Sequence, residues 1–340
     1  MASSCSVIIC AYTLDRWGDL RQAVDSIRRQ TAVPGEIVVV CDHNPELLDR
    51  ARAELPGCLV VPNSEERGLS GARNSGIAAA SRDIVAFLDD DAVAEGTWLE
   101  ALLRCYADDQ VLGVGGAIVP IWINGRPAWF PGEFLWVVGC TYRGMPTYTA
   151  SIRNLIGANM SFRRTVFSHV GGFRTGIGRV GKRPLGCEET ELCIRVLQHY
   201  PDSVLLYEPT ASVGHRVPAS RSRVSYFWSR CYAEGLSKAL VSRLVGADAG
   251  LSSERVYTFR TLPRGMLHGV FDALGGDLSG LSRSITIGAG LGATTAGYVV
   301  GIRAAKSMPA VPPPSVGLAA GGMPVLRLVA AGNREEPIRS

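Results

Sequence analysis

Short apolar runs alternate with helix-like stretches from Ser6 to Tyr106, and few architectures tolerate that alternation. The runs are SVIICAY (6–12), EIVVVC (36–41), CLVVP (58–62) and DIVAFLD (83–89). Each is short and almost wholly apolar, as a strand buried on both faces must be. Between them, WGDLRQAVDSIRRQ sets Leu20, Ala23, Val24 and Ile27 on one helical face. NPELLDRARAEL offers Asn44 as a cap and Pro45 at the first helical position. GARNSGIAAAS (71–81) predicts a helix of small residues, and Thr97 with Glu100 has the spacing of a capping box for a helix reaching about Tyr106. Strand and helix in strict turn predict an α/β chain with a parallel, doubly wound sheet. Ligands of such sheets bind beyond the carboxyl ends of the strands. Here those ends are Ala11–Thr13, Asp42–Asn44 and Asp89–Asp91.

Asp89, Asp90 and Asp91 follow the apolar run directly. Three like charges there repel one another, and a divalent cation removes the repulsion. Mg²⁺ or Mn²⁺ takes hard oxygen ligands and leaves room for water and substrate phosphate. An exposed acidic loop is the alternative. No EF-hand ligand series follows, which argues against calcium. The chain has no GxxxxGK[ST] and no GxGxxG after its first strand, which argues against P-loop and dinucleotide-binding proteins.

Beyond Val119 the pattern loses its regularity. RPAWFPGEFLWVVGC (126–140) is aromatic and broken by proline. GANMSFRRTVFSHVGGF (157–173) reads as a strand and a short helix stopped by Gly171, CEETELCIRVLQHY (187–200) as a helix, and SVLLYEP (203–209) as a strand. After His215 helix dominates. Charge divides the chain in the same place. Residues 1–215 carry 20 Lys+Arg against 24 Asp+Glu, residues 216–306 carry 12 against 5, and the Pro/Gly-rich 307–340 carries 3 against 2. We therefore expect an acidic α/β domain (1–215), which would carry the strand-end site, a helical basic extension (216–306) and a disordered tail (307–340). The extension includes 19 uncharged residues, 284–302, with GxxxG spacings at Gly288/Gly292 and Gly297/Gly301. It suits a membrane surface at which the chain lies shallowly, or a helical hairpin buried in a soluble protein. Nine scattered cysteines without CxxC pairs suit a reducing compartment and no zinc site. The opening MASSCSVIICAY lacks a basic leader, so no signal peptide is expected. A cytoplasmic location, peripheral to the inner face of the membrane, fits all of these.

SVIICAYTLDRW, EIVVVCD, ERGLSGARNSGIAAASRDIVAFLDDD, GANMSFRR, VGGF and CEETELCIR stand in an order that resembles the family 2 glycosyltransferases, which have the GT-A fold and use nucleotide-sugars. The resemblance spans about residues 5–240. PAWFPGEFLWVVGC with RNLIGANMSFRR is similar, more narrowly, to haloarchaeal glycosyltransferases that extend dolichyl-phosphate-linked sugars, glucuronosyltransferases among them. The resemblance implies that Ala11, Tyr12 and Asp42 contact the base and ribose, with Asp42 accepting from the uracil ring N–H. Arg67, Gly71 and Arg73 would border the nucleotide, with Gly71 admitting the backbone close to phosphate. Asp89 and Asp91 match the Asp-x-Asp motif. Asp91 would bind the metal and Asp89 the sugar or ribose, with Asp90 between them. His215 matches a further metal or phosphate contact. The family's catalytic base opens a helix as the aspartate of a Glu-Asp pair. This chain has Glu188 and Glu189, so Glu189 would take the proton from the acceptor hydroxyl, or Glu188 in its place. Acidic residues also favour a helix N-terminus for electrostatic reasons alone.

Trp136 and Asn159, with Arg223 and Arg230 of RSRVSYFWSRCYAEGLSK, are the acceptor-binding candidates. Nucleic acid is a poorer partner, because it leaves the aspartates without work. The expected activity is metal-dependent, inverting transfer from a nucleotide-sugar to a glycan or lipid-linked acceptor. The donor would be a UDP-sugar, with UDP-glucuronate as a candidate. A nucleotidyltransferase releasing pyrophosphate and a non-catalytic nucleotide-sugar-binding module stay open on these residues.

Overall fold

A computed structural model of the protein describes residues 4–178, 185–246 and 254–305. The expected strands form β1 (Cys5–Ala11), β2 (Glu36–Cys41), β3 (Leu59–Pro62) and β4 (Ile84–Asp89). Between them lie α1 (Trp17–Arg28), α2 (Pro45–Glu54) and α3 (Leu69–Ala79). The four strands are parallel, in the order β3-β2-β1-β4. Their side chains point alternately to opposite faces. Val7, Ile9 and Val39 pack with Leu20, Ile27 and Leu47 of α1 and α2. Ile8, Val38, Val40 and Val85 pack on the other face with Ala72 and Ile77 of α3. Two packed faces explain why the strands read as unbroken apolar runs. At Gly76 a side chain would come within 2.6 Å of Ile8 Cγ2, so α3 lies close on the sheet.

From β5 (Ala92–Ala94) onward the sheet departs from the doubly wound expectation. Then follow α4 (Trp98–Cys105), β6 (Val111–Trp122), β7 (Ala150–Ser151), β8 (Asn159–Arg163), α5 (Thr165–Val170), α6 (Glu188–His199) and β9 (Val204–Val217). β8 enters antiparallel between β4 and β6, β9 runs parallel to β6, and β5 and β7 pair antiparallel with β9. The sheet is mixed and mostly parallel. An antiparallel neighbour needs no crossover helix, so β7 and β8 follow β6 with no α-helix between them.

Local signals held where a side chain had no stronger partner. Asn44 Oδ1 accepts from Leu47 N at 3.0 Å and caps α2, and α5 stops at Gly171 with φ 78°. The Thr97–Glu100 capping box does not form. Thr31 Oγ1 donates to Glu100 at 2.8 Å, and Gln30 Oε1 accepts from Leu99 N at 2.9 Å in the cap's place. β9 continues through His215 to Val217. The helical region comprises α7 (Val224–Val245), α8 (Leu262–Leu274, preceded by a π-helical turn, Tyr257–Thr261) and α9 (Ser279–Ala305). Phe227, Cys231, Leu262 and Ile287 from it join the core beneath α1 and α4. α9 contains the uncharged run and is long and apolar enough to cross a membrane, with 22% of that window buried. Gly297 and Gly301 lie against the α7 backbone and Ala239, whereas no atom comes within 4 Å of a side chain built at Gly292. The tail assigned to 307–340 lies outside the described residues.

Candidate active site

The acidic cluster sits where β4 ends and β5 begins. The pairing of Ala92 with His215 across β5 and β9 carries the histidine to the aspartates. Ligand atoms of Asp89, Asp91 and His215 lie within 4.8 Å of one another. His215 Nε2 is 3.1 Å from Asp91 Oδ1, and its Nδ1 faces Cys140 Sγ at 3.7 Å. Arg16 reaches Asp90 Oδ1 at 2.9 Å and Asp91 Oδ2 at 3.0 Å, and Arg221 stands 3.9 Å from Asp91. Burial opposes charge on Asp91, but hydrogen bonding and charge from His215, with both arginines, hold its carboxyl well below the usual range. Burial and the neighbouring Asp91 push Asp90 up to about 7. Asp90 Oδ2 is buried with no hydrogen-bond partner. Two carboxylates, one imidazole and an unsatisfied oxygen alongside form a donor set that fits a hard divalent cation.

Above the cluster opens a cavity of about 290 Å³ lined by Ala11, Tyr12, Asp42, Arg67, all three aspartates and Arg221. Asp42 is fixed by Asn63 Nδ2 at 2.6 Å and by Gly68 N at 3.0 Å. Tyr12 is 53% exposed at the rim. Gly71 faces elsewhere. A side chain there would meet the Glu66 carbonyl at 2.0 Å, so the close approach it permits is to the preceding loop and not to a phosphate. Arg73 is buried beneath the site. It donates to Glu188 Oε1 at 2.9 Å and to the Gly157 carbonyl at 3.1 Å, lies 3.8 Å from Asp89, and packs over Phe173.

A narrow junction of about 100 Å³ continues from this cavity past Asp89, Arg73, Glu188, Glu189, His215 and Arg221. It leads to a third cavity of about 310 Å³, lined by Trp136, Tyr142, Arg153, Glu189, Arg230, Lys238, Glu254 and Tyr257. Glu189 and Arg230 line both the junction and this cavity. Burial and Glu188, opposed by Arg73, push the Glu189 carboxyl up to about 8. The two glutamates are thus distinguished. Glu188 is engaged with Arg73, while Glu189 faces the opening.

Trp136 hydrogen-bonds Tyr257 at 2.9 Å on the wall of the third cavity. Asn159 is a correction. It is fully buried, bonded to Trp98 Nε1 at 2.8 Å and to the carbonyls of Ala117 and Ala211 at 3.0 and 2.8 Å, so it ties α4, β6 and β9 together and meets no acceptor. Arg223 is exposed at the start of α7 and lines none of these three cavities. Sequence reasoning missed Arg16 and Arg221, which balance the aspartates, and the half-buried group that Arg153, Glu234 and Glu254 form with Lys238 of the basic, aromatic segment. Arg153 and Lys238 both pair with Glu254. Only the position of Arg16, just beyond the first strand end, was a usable signal.

A curled, mostly parallel sheet, with acidic ligands at a strand end between two cavities of about 290 and 310 Å³, is the architecture of the GT-A fold. The chain belongs to glycosyl transferase family 2, whose model matches residues 6–171. It is 35% identical over 243 residues to the glucosyl-dolichyl phosphate glucuronosyltransferase of Haloferax volcanii, covering 70% of this chain and 77% of that one. It is 25% identical over 234 residues to the succinoglycan biosynthesis protein ExoM of Rhizobium meliloti, covering 63% and 71%. Among solved structures, the mannosyltransferase PcManGT of Pyrobaculum calidifontis, in complex with GDP-Man and Mn²⁺, shares the fold at TM-score 0.52 and 16% identity, covering 85% and 86%.

Proposed function

We propose that the protein moves a sugar from a UDP-sugar to a hydroxyl of a polyprenyl-phosphate-linked sugar, with inversion and with Mn²⁺ or Mg²⁺ bound. The observation that carries this reading is Glu189, at the seam between the donor-side junction and the aromatic third cavity. Asp89, Asp91 and His215 would hold the cation, which supplies charge neutralisation on the departing diphosphate. Arg16 and Arg221 hold the aspartates in place, and Cys140 orients His215. Glu189 takes the proton of the acceptor hydroxyl as its oxygen bonds to the anomeric carbon and the bond to the diphosphate oxygen breaks. A single displacement inverts the anomeric carbon. Glu188 fixes the start of α6 through Arg73. UDP-glucuronate is the leading donor. The Haloferax relative's name supports it, as do Arg221 and Arg230 at the junction, where a sugar carboxylate would need cations. A cytoplasmic site peripheral to a membrane suits the free cysteines and a lipid-linked acceptor.

The test incubates purified protein with Mn²⁺ or Mg²⁺, a panel of UDP-, GDP- and dTDP-sugars and a membrane lipid extract, and measures released nucleoside diphosphate. Release from one UDP-sugar, dependent on both metal and lipid and lost in Asp91→Ala and Glu189→Gln, is expected. Release of pyrophosphate instead, or donor binding without turnover under any acceptor, would defeat the proposal.

A further inference from the structure

A cavity of about 310 Å³ lies apart from the reaction site, lined by Arg126, Glu133, Arg143, His268, Asp272 and Arg283 among others. Three guanidinium groups converge on it. Arg143 is paired with the buried Glu133 at 3.1 Å, and Arg283 with Asp272 and Asp277 at 2.8 and 2.9 Å. Arg126 donates only to the Phe130 carbonyl, at 3.2 and 2.8 Å, and makes no ion pair among the described residues. Burial and the neighbouring Arg143 both disfavour its charge. Such a cation is stabilised by an anion with oxygens to spare.

The surface beside this cavity is apolar. On α8, Leu267, Phe271 and Leu274 are 57%, 66% and 80% exposed; Leu278, Leu281 and Ile285 follow at 78%, 51% and 64%. Leu267, Val270, Phe271 and Leu274 recur at helical spacing, so they form one stripe. The backbones of α8 and α9 touch where a side chain at Gly280 would meet the Gly269 carbonyl at 2.2 Å. The two helices are therefore one hairpin, and it lines the arginine cavity on one side and the acceptor cavity on the other. Large apolar side chains exposed side by side mark a contact surface. Beside this face, Arg126, which makes no ion pair among the described residues, selects a surface that is apolar within and anionic at its rim, as a bilayer of acidic lipids is.

We propose that the α8–α9 hairpin docks this protein on anionic membranes, with Leu267, Phe271, Leu274 and Leu278 entering the interface and the Arg126–Arg143–Arg283 cavity taking a lipid phosphate. The proposal deepens the peripheral-membrane reading and stands whether or not the acceptor is lipid-linked. The experiment is co-sedimentation of the full chain with phosphatidylcholine vesicles, with and without phosphatidylglycerol. Binding is expected only to the mixed vesicles, and to weaken as salt rises. Phe271→Glu/Leu274→Glu should abolish it, and Arg126→Gln should weaken it about fivefold, all with unchanged melting temperatures. Equal binding to both vesicles would overturn the phosphate assignment. Unimpaired binding of the double variant would overturn the docking face. Protection of the cavity by inorganic phosphate without vesicle binding would make it a free-phosphate site, and a dimer by light scattering that the double variant dissolves would assign the face to a second copy.

Discussion

Glu189→Gln keeps the shape of the side chain and removes only its capacity to accept a proton. A positioned general base contributes about 10²- to 10⁴-fold to rate, or about 3–5 kcal/mol in the barrier, and kcat/KM should fall by that factor. The environment of Glu189 also sets a pH profile. With its carboxyl pushed up to about 8, it is about one-tenth ionised at pH 7 in the free enzyme. kcat/KM should therefore rise about tenfold per pH unit on the acid side and level off above about 8. Stability moves the other way. The folded protein holds this proton more tightly than the unfolded chain, whose carboxyl titrates near 4.5. Stability therefore declines as pH rises from about 5 to about 8. The Gln variant lacks that decline, so its melting temperature should exceed the wild type's by a margin that widens over the same interval. Glu188→Gln should do the opposite. It leaves the buried Arg73 without its 2.9 Å partner, a loss of roughly 3–5 kcal/mol. Continuous detection of released UDP, with thermal melting across the pH range, reads all of this. A Gln variant retaining more than about a tenth of wild-type kcat/KM, or a flat wild-type profile below pH 8, would refute the assignment.

Asp91→Asn should abolish metal-dependent donor binding, as EDTA does, read by calorimetry with UDP and Mn²⁺; undiminished binding would remove the aspartate from the metal site. Asn159→Ala deletes three buried hydrogen bonds and should lower unfolding free energy by about 3 kcal/mol in denaturant titration, with no change in acceptor KM in the protein that remains folded. Trp136→Ala should raise acceptor KM and leave donor KM alone, since the residue lines the junction and third cavity but not the donor cavity. Gly297→Val would drive a side chain into the Tyr232 carbonyl, which already lies 2.0 Å from a built Cβ, and should separate α7 from α9 with a marked fall in melting temperature.

The carboxyl edge of the sheet was legible because Ala11, Asp42 and Asp89 close or directly follow buried parallel strands. Ala11, Asp42 and Asp89 end runs whose apolarity is visible without any partner, and the fold brings those ends to one edge. At Gly71 and Arg73 the structure shows partners that the sequence does not. A small residue reads the same whether it admits a phosphate or the Glu66 carbonyl, and an arginine reads the same whether it meets a ligand or Glu188. Asn159 misled for a related reason. A polar residue in a motif-like string suggests contact with substrate, and only the tertiary structure shows that its amide spans three elements. The antiparallel insertion of β8 between β4 and β6 escaped because its partners lie far away in sequence and no α-helix separates β6 from β8 to mark the change.

The charged group of the third cavity had no such local signal. Arg153 follows β7, Lys238 lies within α7, Glu254 precedes the π-helical turn, and Glu189 opens α6. Each is ordinary where it stands. Together they form a charged group that is costly to bury unless fully paired, in a cavity also lined by Phe134, Trp136, Tyr142, Tyr257 and Tyr298. That contrast has a consequence for specificity. The strand ends that would hold nucleotide and metal are constrained by the sheet itself. The third cavity is instead assembled from α6, α7, α9 and the segments around Trp136 and Tyr257, any of which can change without disturbing β1 or β4. Acceptor choice should therefore follow substitutions at Trp136, Tyr142, Lys238 and Tyr257. Donor choice should follow those at Tyr12, Asp42 and Arg221, with the two sets nearly additive because they meet only at the junction beside Glu189.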